Sequence, residues 1–430
     1  MGLDSVDSKG LWCAQSLWEF LESKGQEYAP FDPKRAHRIY AKLAPMLKLE
    51  HLRIIHILGT NGKGSTGRFI TLGLLQCGHR VLHFSSPHLW HFRERFYRNG
   101  ADVSDEELEE AHRFLQRFGF VCEASYFEYA TFLGLYLAQE CDFLVLEAGL
   151  GGEFDSTSVL RAHLSVFTPI GVDHKDFLGA DIESIAGTKL RAMGDNVLLA
   201  PQPYAQSSLI ARAIAKERGA RLCELGIIES SAQLCTQIEA FCACFGLESR
   251  EENEWWQAYR AYVARYGYAE FLAQNLLVAS FVWRFFGLRV DCGNLAVLDL
   301  RGRCEWLSPH ILLDVGHNEE CARALKSVIE QSFGQRRVIL VYNTYFDKSV
   351  RHILALLKPC IQEVWIFPLV DNPRVIARSD LEAILGDLGI VYRDFVREEM
   401  RDSQDYVVFG SFSVVAGFLD IFEGELCKTN

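Results

Sequence analysis

A glycine-rich loop carries the clearest chemical signal in this sequence of 430 residues. The apolar run 54–58 breaks into residues 59–66, where Lys63 stands between two glycines and a helix is expected to begin near Thr66. Glycines let backbone N–H groups converge on an anion, the helix start adds its positive dipole end, and the lysine adds a point charge. The pattern predicts a phosphate cradle suited to ATP, made by Gly59, Thr60, Asn61, Gly62, Lys63, Gly64, Ser65 and Thr66.

The spacing around this lysine departs from the common Walker pattern. That pattern places Ser or Thr directly after Gly-Lys, whereas here Gly64 separates Lys63 from Ser65. The alternative interpretation is a plain tight turn between a strand and a helix, which does not require a lysine flanked by glycines. We therefore favour a nucleotide site over a purely structural turn.

Three polar residues at the ends of further apolar runs suit a metal ion. Ser86, Glu147 and His174 each follow a separate predicted strand. Because open α/β sheets bind ligands at the carboxyl ends of their strands, we expect these side chains to converge beside Lys63 and to hold Mg²⁺. For Glu147 taken alone, the less favoured alternative is a surface acid, whereas a lone histidine such as His174 is more often packed or solvated than a ligand. Their shared position favours the metal site.

Composition limits the classes of function. With 49% hydrophobic and 23% charged residues, the chain has the composition of a globular protein long enough for two domains. Its net charge of −12 argues against a broad nucleic-acid surface, which would need clustered Lys and Arg. We expect small anions as partners, and no nucleic acid.

The sequence predicts a cytoplasmic protein with no membrane partner. The first residues lack the basic, apolar pattern of a signal peptide, and no later run approaches membrane-spanning length. Thirteen cysteines form no CxxC pair and no His–Cys metal spacing. Reduced thiols that pack as small apolar side chains are the expected state.

The order of elements predicts an α/β fold in two domains. Residues 1–290 are expected to form a mostly parallel, P-loop-type sheet domain with an N-terminal helical cap, whose two helices are split at 30–33. Residues 291–300 are the predicted linker. Strands and helices then alternate over 301–430, which predicts a smaller, Rossmann-like α/β domain.

The ordered set of motifs resembles the folylpolyglutamate synthase/dihydrofolate synthase family of the Mur ligase superfamily. The resemblance covers most of the chain, and the set is specific although each motif alone is not. The matching stretches are residues 59–65, 86–89, 146–152, 173–174, Lys189, 302–305, 314–318, 347–348 and 409–412.

The resemblance implies an ATP-dependent ligase of folate biosynthesis. Such enzymes phosphorylate a substrate carboxylate, and the amine of L-glutamate then attacks the acyl phosphate of a dihydropteroate or folate substrate. By matching position, Lys63 and the loop amides would hold the β- and γ-phosphates. The resemblance also implies that Asn275 contacts adenine, as opposed to being a helix-surface amide, and that Arg303 and Asp314 belong to the nucleotide site.

Further roles rest on the same resemblance. Lys189 matches a lysine that is often carbamylated, and a carbamate could bind a second Mg²⁺; the alternative is an unmodified lysine paired with phosphate or a helix neighbour. Among histidines, His317 is the nearest candidate for a general base. Phe127 and Asp155 are expected to contact the pterin, since a flat ring favours aromatic stacking and a carboxylate accepts its N–H groups.

Two positions depart from the family pattern. Glu153 stands where family members commonly have arginine, and Thr188 where a glutamate usually precedes the helix lysine. Two other classes of function stay open: a Mur-type ligase acting on another carboxylate, and a non-catalytic nucleotide-binding module. We expect a monomer.

Overall fold

The computed structural model of the chain describes residues 15–25, 32–179, 181–248, 253–369 and 372–426. Residues 30 and 31, which belong to the predicted break between the first two helices, lie outside this part of the chain. Two compact units are formed. The first takes its described residues from Met1–Ile170, Ile182–Arg265 and Gln274–Val297, and the second from Gly171–Asp181, Tyr266–Ala273 and Leu298–Asn430.

The strands are numbered in chain order. They are β1 (Arg53–Leu58), β2 (Val81–Phe84), β3 (Phe96–Arg98), β4 (Ala101–Asp102), β5 (Phe143–Glu147), β6 (Leu164–Phe167), β7 (Asn196–Leu199), β8 (Arg221–Glu224), β9 (Glu305–Ser308), β10 (Ile311–Asp314), β11 (Val338–Tyr342), β12 (Ile361–Ile366), β13 (Tyr392–Asp394) and β14 (Tyr406–Phe409).

The α-helices are numbered in the same way. They are α1 (Leu17–Ser23), α2 (Arg35–Leu43), α3 (Lys63–Gln76), α4 (Asp105–Gln116), α5 (Tyr126–Leu137), α6 (Lys175–Leu178), α7 (Ile182–Leu190), α8 (Ala205–Arg218), α9 (Ser231–Phe245), α10 (Asn253–Tyr266), α11 (Glu270–Phe285), α12 (Glu319–Phe333), α13 (Val350–Leu357), α14 (Arg378–Asp387) and α15 (Phe412–Leu426).

The first unit is built on an eight-stranded sheet in the order β4-β3-β2-β5-β1-β6-β7-β8. All neighbours from β2 to β8 pair in parallel, and β3 and β4 add an antiparallel edge. The central strands are buried along their length, which explains why they are continuous apolar runs in the sequence. The register pairs Ile57 of β1 with Glu147 of β5, so the carboxyl ends of these strands lie side by side.

The helices of the first unit bury the faces that their periodicity predicts. Helix α1 buries Leu17, Phe20 and Leu21, whose spacing in the sequence places them on one face of a helix. Helix α4 begins with a capping box, in which the Ser104 hydroxyl accepts a hydrogen bond from the Glu107 amide. Residues of both helices belong to the same apolar core as residues of β2 and β5, and this burial stabilises the helices beyond their intrinsic propensity.

The second unit contains a six-stranded sheet in the order β13-β12-β11-β14-β10-β9. Its strands pair in parallel except for β9, which is antiparallel to β10. Apolar residues from α12, α13 and α14 pack with the sheet into one core. The predicted fold class, a mostly parallel α/β sheet domain followed by a smaller open α/β sheet, is confirmed.

No helix within the described ranges combines the length and the apolar character needed to cross a membrane.

Candidate functional site

The glycine-rich loop between β1 and α3 has a backbone that only glycine adopts readily at two positions. Gly59 has φ 138° and Gly62 has φ 82°. A Cβ atom on Gly59 would lie 2.1 Å from Oγ1 of Thr168 and 2.8 Å from its carbonyl oxygen. Left-handed φ values and this close approach together explain why the loop needs glycine at these points.

The first turn of α3 presents unused backbone donors. Gly62 is the N-cap, no side chain caps the helix, and its first hydrogen bond runs from the Thr66 amide to the Gly62 carbonyl oxygen at 2.9 Å. Within the described chain, no group accepts a hydrogen bond from the amides of Lys63, Gly64 and Ser65. The buried Thr66 hydroxyl likewise has no hydrogen-bond partner there. Such a helix start binds anions.

Lys63 lies beside Glu147, as the sheet order requires. Lys63 Nζ is 3.7 Å from Glu147 Oε1 and donates a hydrogen bond to the Thr60 carbonyl oxygen at 3.3 Å. Glu147 is buried at the end of β5, and its Oε2 accepts a hydrogen bond from the Ser86 amide at 3.4 Å. The structure therefore brings together the loop lysine and two of the three predicted metal ligands.

The three predicted metal ligands do not all belong to the same compact unit. Ser86 and Glu147 belong to the first unit, whereas His174 lies in the segment Gly171–Asp181, which groups with the second. Across the ranges that the structure describes, no three His, Cys, Asp or Glu side chains form a cluster able to hold a metal. The hydroxyl and carboxylate oxygens of Ser86 and Glu147 are ligands that a hard divalent cation prefers.

Asn275 lies against the loop within the first unit. A Cβ on Gly62 would come within 2.9 Å of Asn275 Oδ1, so the amide covers the N-terminal end of α3. Asn275 is 6% exposed, and its Nδ2 has no hydrogen-bond partner among the described residues. A buried amide nitrogen without a partner costs free energy unless a ligand accepts from it.

Phe127 and Asp155 both border the loop that follows Glu147. A Cβ on Gly149 would lie 2.4 Å from the Phe127 ring, so the ring covers this glycine closely. The Asp155 carboxylate accepts hydrogen bonds from the amides of Gly149, Leu150 and Thr157 and from the Thr157 hydroxyl. Burial raises the pKa of Asp155, although these hydrogen bonds act to lower it. The carboxylate thus organises the loop and has little acceptor capacity left.

The buried Lys189 lies in α7, directly against the same loop. A Cβ on Gly152 would meet the Lys189 carbonyl oxygen at 2.7 Å, and the Glu153 amide donates to the Thr188 carbonyl oxygen at 3.0 Å. The Glu153 carboxylate also accepts a hydrogen bond from Arg191 Nε. The residue that departs from the family pattern therefore helps to join the loop to the helix that carries Lys189.

In the second unit, Asp314 holds the turn that follows β10. Its carboxylate accepts hydrogen bonds from the amides of Gly316 and Cys304, at 2.8 and 3.0 Å. Burial raises the pKa of Asp314, against the opposing effects of these amides and of Arg303. The Arg303 guanidinium lies over the Phe412 ring at 4.8 Å. Asp314 thus orders the chain around Arg303.

His317 and Lys348 meet at Asp173, a residue to which the sequence reasoning gave no role. Lys348 Nζ is 2.7 Å from Asp173 Oδ1, and His317 Nε2 is 3.3 Å from Oδ2. Burial acts to raise the pKa of Asp173, but the hydrogen bond and charge of His317 and the charges of His174 and Lys348 hold it well below its usual range. The signal that could have found this cluster is that Asp173, His317 and Lys348 each lie in a stretch that matches the family.

The hydrogen bonds of His317 bear on its predicted role as a base. Its Nδ1 donates to the Val315 carbonyl oxygen at 3.1 Å, while Nε2 faces the Asp173 carboxylate. Both ring nitrogens therefore face acceptors of the protein. The role of His317 as a general base stays a prediction.

The class of protein follows from the site and the fold. The first unit carries a phosphate loop with a lysine and a buried carboxylate on a mostly parallel sheet, and the second unit contains another open α/β sheet. Together these features define a nucleotide-dependent enzyme of two α/β units. Three comparisons with known proteins refine this class. The crystal structure of Helicobacter pylori folylpolyglutamate synthetase is 41% identical, covers 98% of this chain and 100% of its own, and has a TM-score of 0.72. The dihydrofolate synthase/folylpolyglutamate synthase of Escherichia coli strain K12 is 27% identical over 390 residues, 86% of either chain.

A third protein, at 24% identity, shows the same fold. It is a bifunctional folylpolyglutamate synthase/dihydrofolate synthase crystallised with Mn, AMPPNP and L-glutamate; the match covers 96% of this chain and 99% of that one, with a TM-score of 0.74. No protein-family model matches the sequence. The chain belongs to the folylpolyglutamate synthase/dihydrofolate synthase family, which confirms the family predicted from its motifs.

Proposed function

We propose that this protein uses ATP to join L-glutamate to dihydropteroate, to folate, or to both, through an acyl phosphate. The family confirms the predicted ligase class. One observation in this chain carries the proposal. The backbone amides at the start of α3 have no acceptor in the described chain, and Lys63 Nζ lies 3.7 Å from the buried Glu147 carboxylate. Phosphoryl transfer from ATP to a carboxylate needs hydrogen-bond donors and positive charge at one place.

The chain's own residues give the nucleotide its orientation. The amides of Lys63, Gly64 and Ser65 point away from any protein acceptor within the described chain and would receive phosphate oxygens. Lys63 would neutralise charge on the transferring phosphoryl group. The unpartnered Asn275 amide suits an adenine edge, which both accepts and donates hydrogen bonds. The nucleotide roles of Arg303 and Asp314 stay predictions.

A divalent cation is the cofactor that relatives support, since one related structure holds Mn with AMPPNP. We propose Mg²⁺ for this chain, held by the oxygens of Ser86 and Glu147. The cation would supply charge neutralisation between the carboxylate substrate and ATP. The predicted third ligand, His174, keeps that role as a prediction.

Carbamylation of Lys189 is a further part of the proposal. An ammonium group beside a divalent cation is repelled, whereas a lysine carbamate is an oxygen ligand. Lys189 is only 5% exposed, and this burial would shield a carbamate from bulk solvent. Intact-protein mass spectrometry under native conditions should detect the adduct in the wild-type protein and not in Lys189→Arg.

The binding site for the dihydropteroate or folate substrate is proposed from the position of Phe127. Its ring lies against Gly149, just after the strand that ends at Glu147. A pterin would stack on an aromatic ring placed there. The pterin contact predicted for Asp155 stays a prediction, since its carboxylate already accepts four hydrogen bonds from its own loop. The cytoplasmic location and the monomeric state also stay predictions.

The reaction then requires two steps. In the first step, the substrate carboxylate takes the γ-phosphoryl group of ATP, and ADP leaves. In the second step, the glutamate amine attacks the acyl carbon, phosphate leaves, and the nitrogen loses its proton. Positioning and charge neutralisation carry most of the catalysis in such transfers. Removal of this proton by His317 stays a prediction.

The deciding experiment measures ADP release with MgATP and L-glutamate, in the presence of dihydropteroate, a reduced folate monoglutamate, or no acceptor. Mass spectrometry then identifies the products. Glutamate addition to dihydropteroate alone means dihydrofolate synthase, addition to folate alone means chain extension, and addition to both means a bifunctional enzyme.

The same assay separates the two rival functions. ADP release with a different carboxylate and amine would indicate another Mur-type ligase. Equilibrium ATP binding with no acceptor-dependent ADP release would indicate a nucleotide-binding module.

A further inference from the structure

The phosphate loop is tied to a short segment that follows β6. The amides of Thr60 and Asn61 both donate to the Pro169 carbonyl oxygen, at 2.9 and 3.1 Å. The Thr168 hydroxyl donates to the Leu58 carbonyl oxygen at 3.1 Å. The position of residues 168–170 therefore sets where the loop leaves β1.

This segment is held in turn by one side chain, that of Gln202. Its Oε1 accepts a hydrogen bond from the Ile170 amide at 3.0 Å. Its Nε2 donates to the carbonyl oxygens of Ala200 at 2.9 Å and of Thr168 at 3.4 Å. A single amide thus bridges the ends of β6 and β7.

Few other groups can perform this bridging. Residues 168–170 lie just beyond β6, and the Thr168 amide still donates to the Leu58 carbonyl oxygen of β1 at 2.8 Å. Their other backbone groups have no partner in a strand of the described chain other than through Gln202. Pro169 has no N–H with which to anchor itself. The bridge requires an acceptor and two donors on one side chain, which a carboxylate or an apolar side chain lacks. Its loss would leave an amide and two carbonyl oxygens without these partners.

We propose that Gln202 is a positioning residue for nucleotide binding, acting through the Pro169 carbonyl oxygen on the phosphate loop. This inference rests on the proposed function, because it assumes that the loop binds the phosphates of ATP. Gln202 makes no hydrogen bond to the loop itself; it fixes the acceptor to which Thr60 and Asn61 are bonded.

The test compares Gln202→Met with a matched control, Gln76→Met. Gln76 also bridges backbone groups with its amide, donating to the Asp291 carbonyl oxygen at 3.0 Å and accepting from the Asp291 amide at 2.7 Å. It lies at the other end of α3, about 20 Å along the helix from Lys63. Calorimetric titration with ADP and Mg²⁺ gives the Kd, and steady-state assays give KM for ATP and for glutamate.

We expect Gln202→Met to weaken ADP binding about tenfold, to raise KM for ATP, and to leave KM for glutamate within about twofold. Gln76→Met should keep the wild-type Kd. An unchanged Kd in Gln202→Met, or equal weakening in both variants, would assign Gln202 a structural role only. If Gln202→Met does not fold, Gln202→Glu, which retains the acceptor and loses both donations, serves instead. A wild-type protein that binds no ADP would overturn the proposed function, and this inference with it.

Discussion

Lys63 is the residue on which the proposed chemistry depends most directly. Its ammonium group lies 3.7 Å from the Glu147 carboxylate and its backbone begins α3, so we expect it to act on phosphate and not on packing. Lys63→Ala is expected to lower kcat by about 10²-fold or more while the circular dichroism spectrum stays that of the wild type. The control is Lys326→Ala, which removes a lysine from an i,i+4 pair with Glu330 on α12. Turnover near the wild-type rate in a folded Lys63→Ala protein would refute the assigned role.

His56 predicts a dependence of stability on pH. It is buried in β1, where its Nε2 donates to the Thr157 hydroxyl, and burial lowers its pKa from 6.5 to about 4. As the pH falls, His56 is therefore protonated in the unfolded chain at a higher pH than in the folded chain. The stability contribution is fully present above pH 6.5 and is lost as the pH falls towards 4, by at most about 1.4 kcal/mol per pH unit.

The measurement for His56 is urea unfolding at several pH values across this window. His56→Gln should flatten the slope of unfolding free energy against pH relative to the wild type. A residual slope is expected, because burial also lowers the pKa of His83. Parallel curves for the variant and the wild type would show that His56 does not carry the dependence.

At the residue scale, local motifs were sufficient to select Lys63 and Glu147, because glycine spacing and strand ends are local features. They were not sufficient to find Gln202 or the part that Asp173 plays. Those residues act through side-chain contacts with distant backbone and charges, and such contacts leave no periodic signal in the sequence. The Glu153 departure likewise became interpretable only when Arg191 was found beside it.

At the scale of elements, the turn from β1 into α3 is the most constrained. Gly59→Ala places a Cβ 2.1 Å from Thr168 Oγ1, whereas Gly78→Ala, at the other end of α3 with φ 80°, meets nothing within 4 Å. The Gly78 variant thus measures the cost of a left-handed backbone alone, about 1 kcal/mol. We expect Gly59→Ala to be clearly more destabilising and to bind ADP more weakly. Equal thermal midpoints and equal ADP affinities for the two variants would contradict this.

The predictability of the elements followed their burial. Strands β1, β5, β10 and β14 are largely apolar runs, the pattern by which a buried strand can be located in a sequence. The antiparallel β9 and the short β13 are partly exposed and polar, and such strands carry no comparable pattern. The region 201–268 contains α8, β8, α9 and α10. Polar and apolar residues are mixed on the packed faces of these elements, so a simple hydrophobic periodicity does not locate them.

For the whole molecule, nucleotide binding should appear as stabilisation. A ligand that binds only the folded state adds about 2.7 kcal/mol at 100 times its Kd. ADP with Mg²⁺ should therefore raise the melting temperature of the wild type and of Lys326→Ala in a concentration-dependent way. Lys63→Ala should show a much smaller rise at the same ADP concentration. Differential scanning fluorimetry gives the comparison, and equal shifts in all three proteins would count against Lys63 as a phosphate ligand.

The parallel pairing of β1 with β5 has a kinetic consequence. Arg53 aligns with Phe143 and Ile57 with Glu147, so the lysine loop and its carboxylate meet only after a long stretch of intervening chain has closed. Loop closure over such separations is slow compared with the formation of local helices. We therefore expect a newly synthesised chain to complete the Lys63–Glu147 pair only after β5 has left the ribosome and joined β1. Nucleotide would then act by slowing unfolding more than by speeding folding.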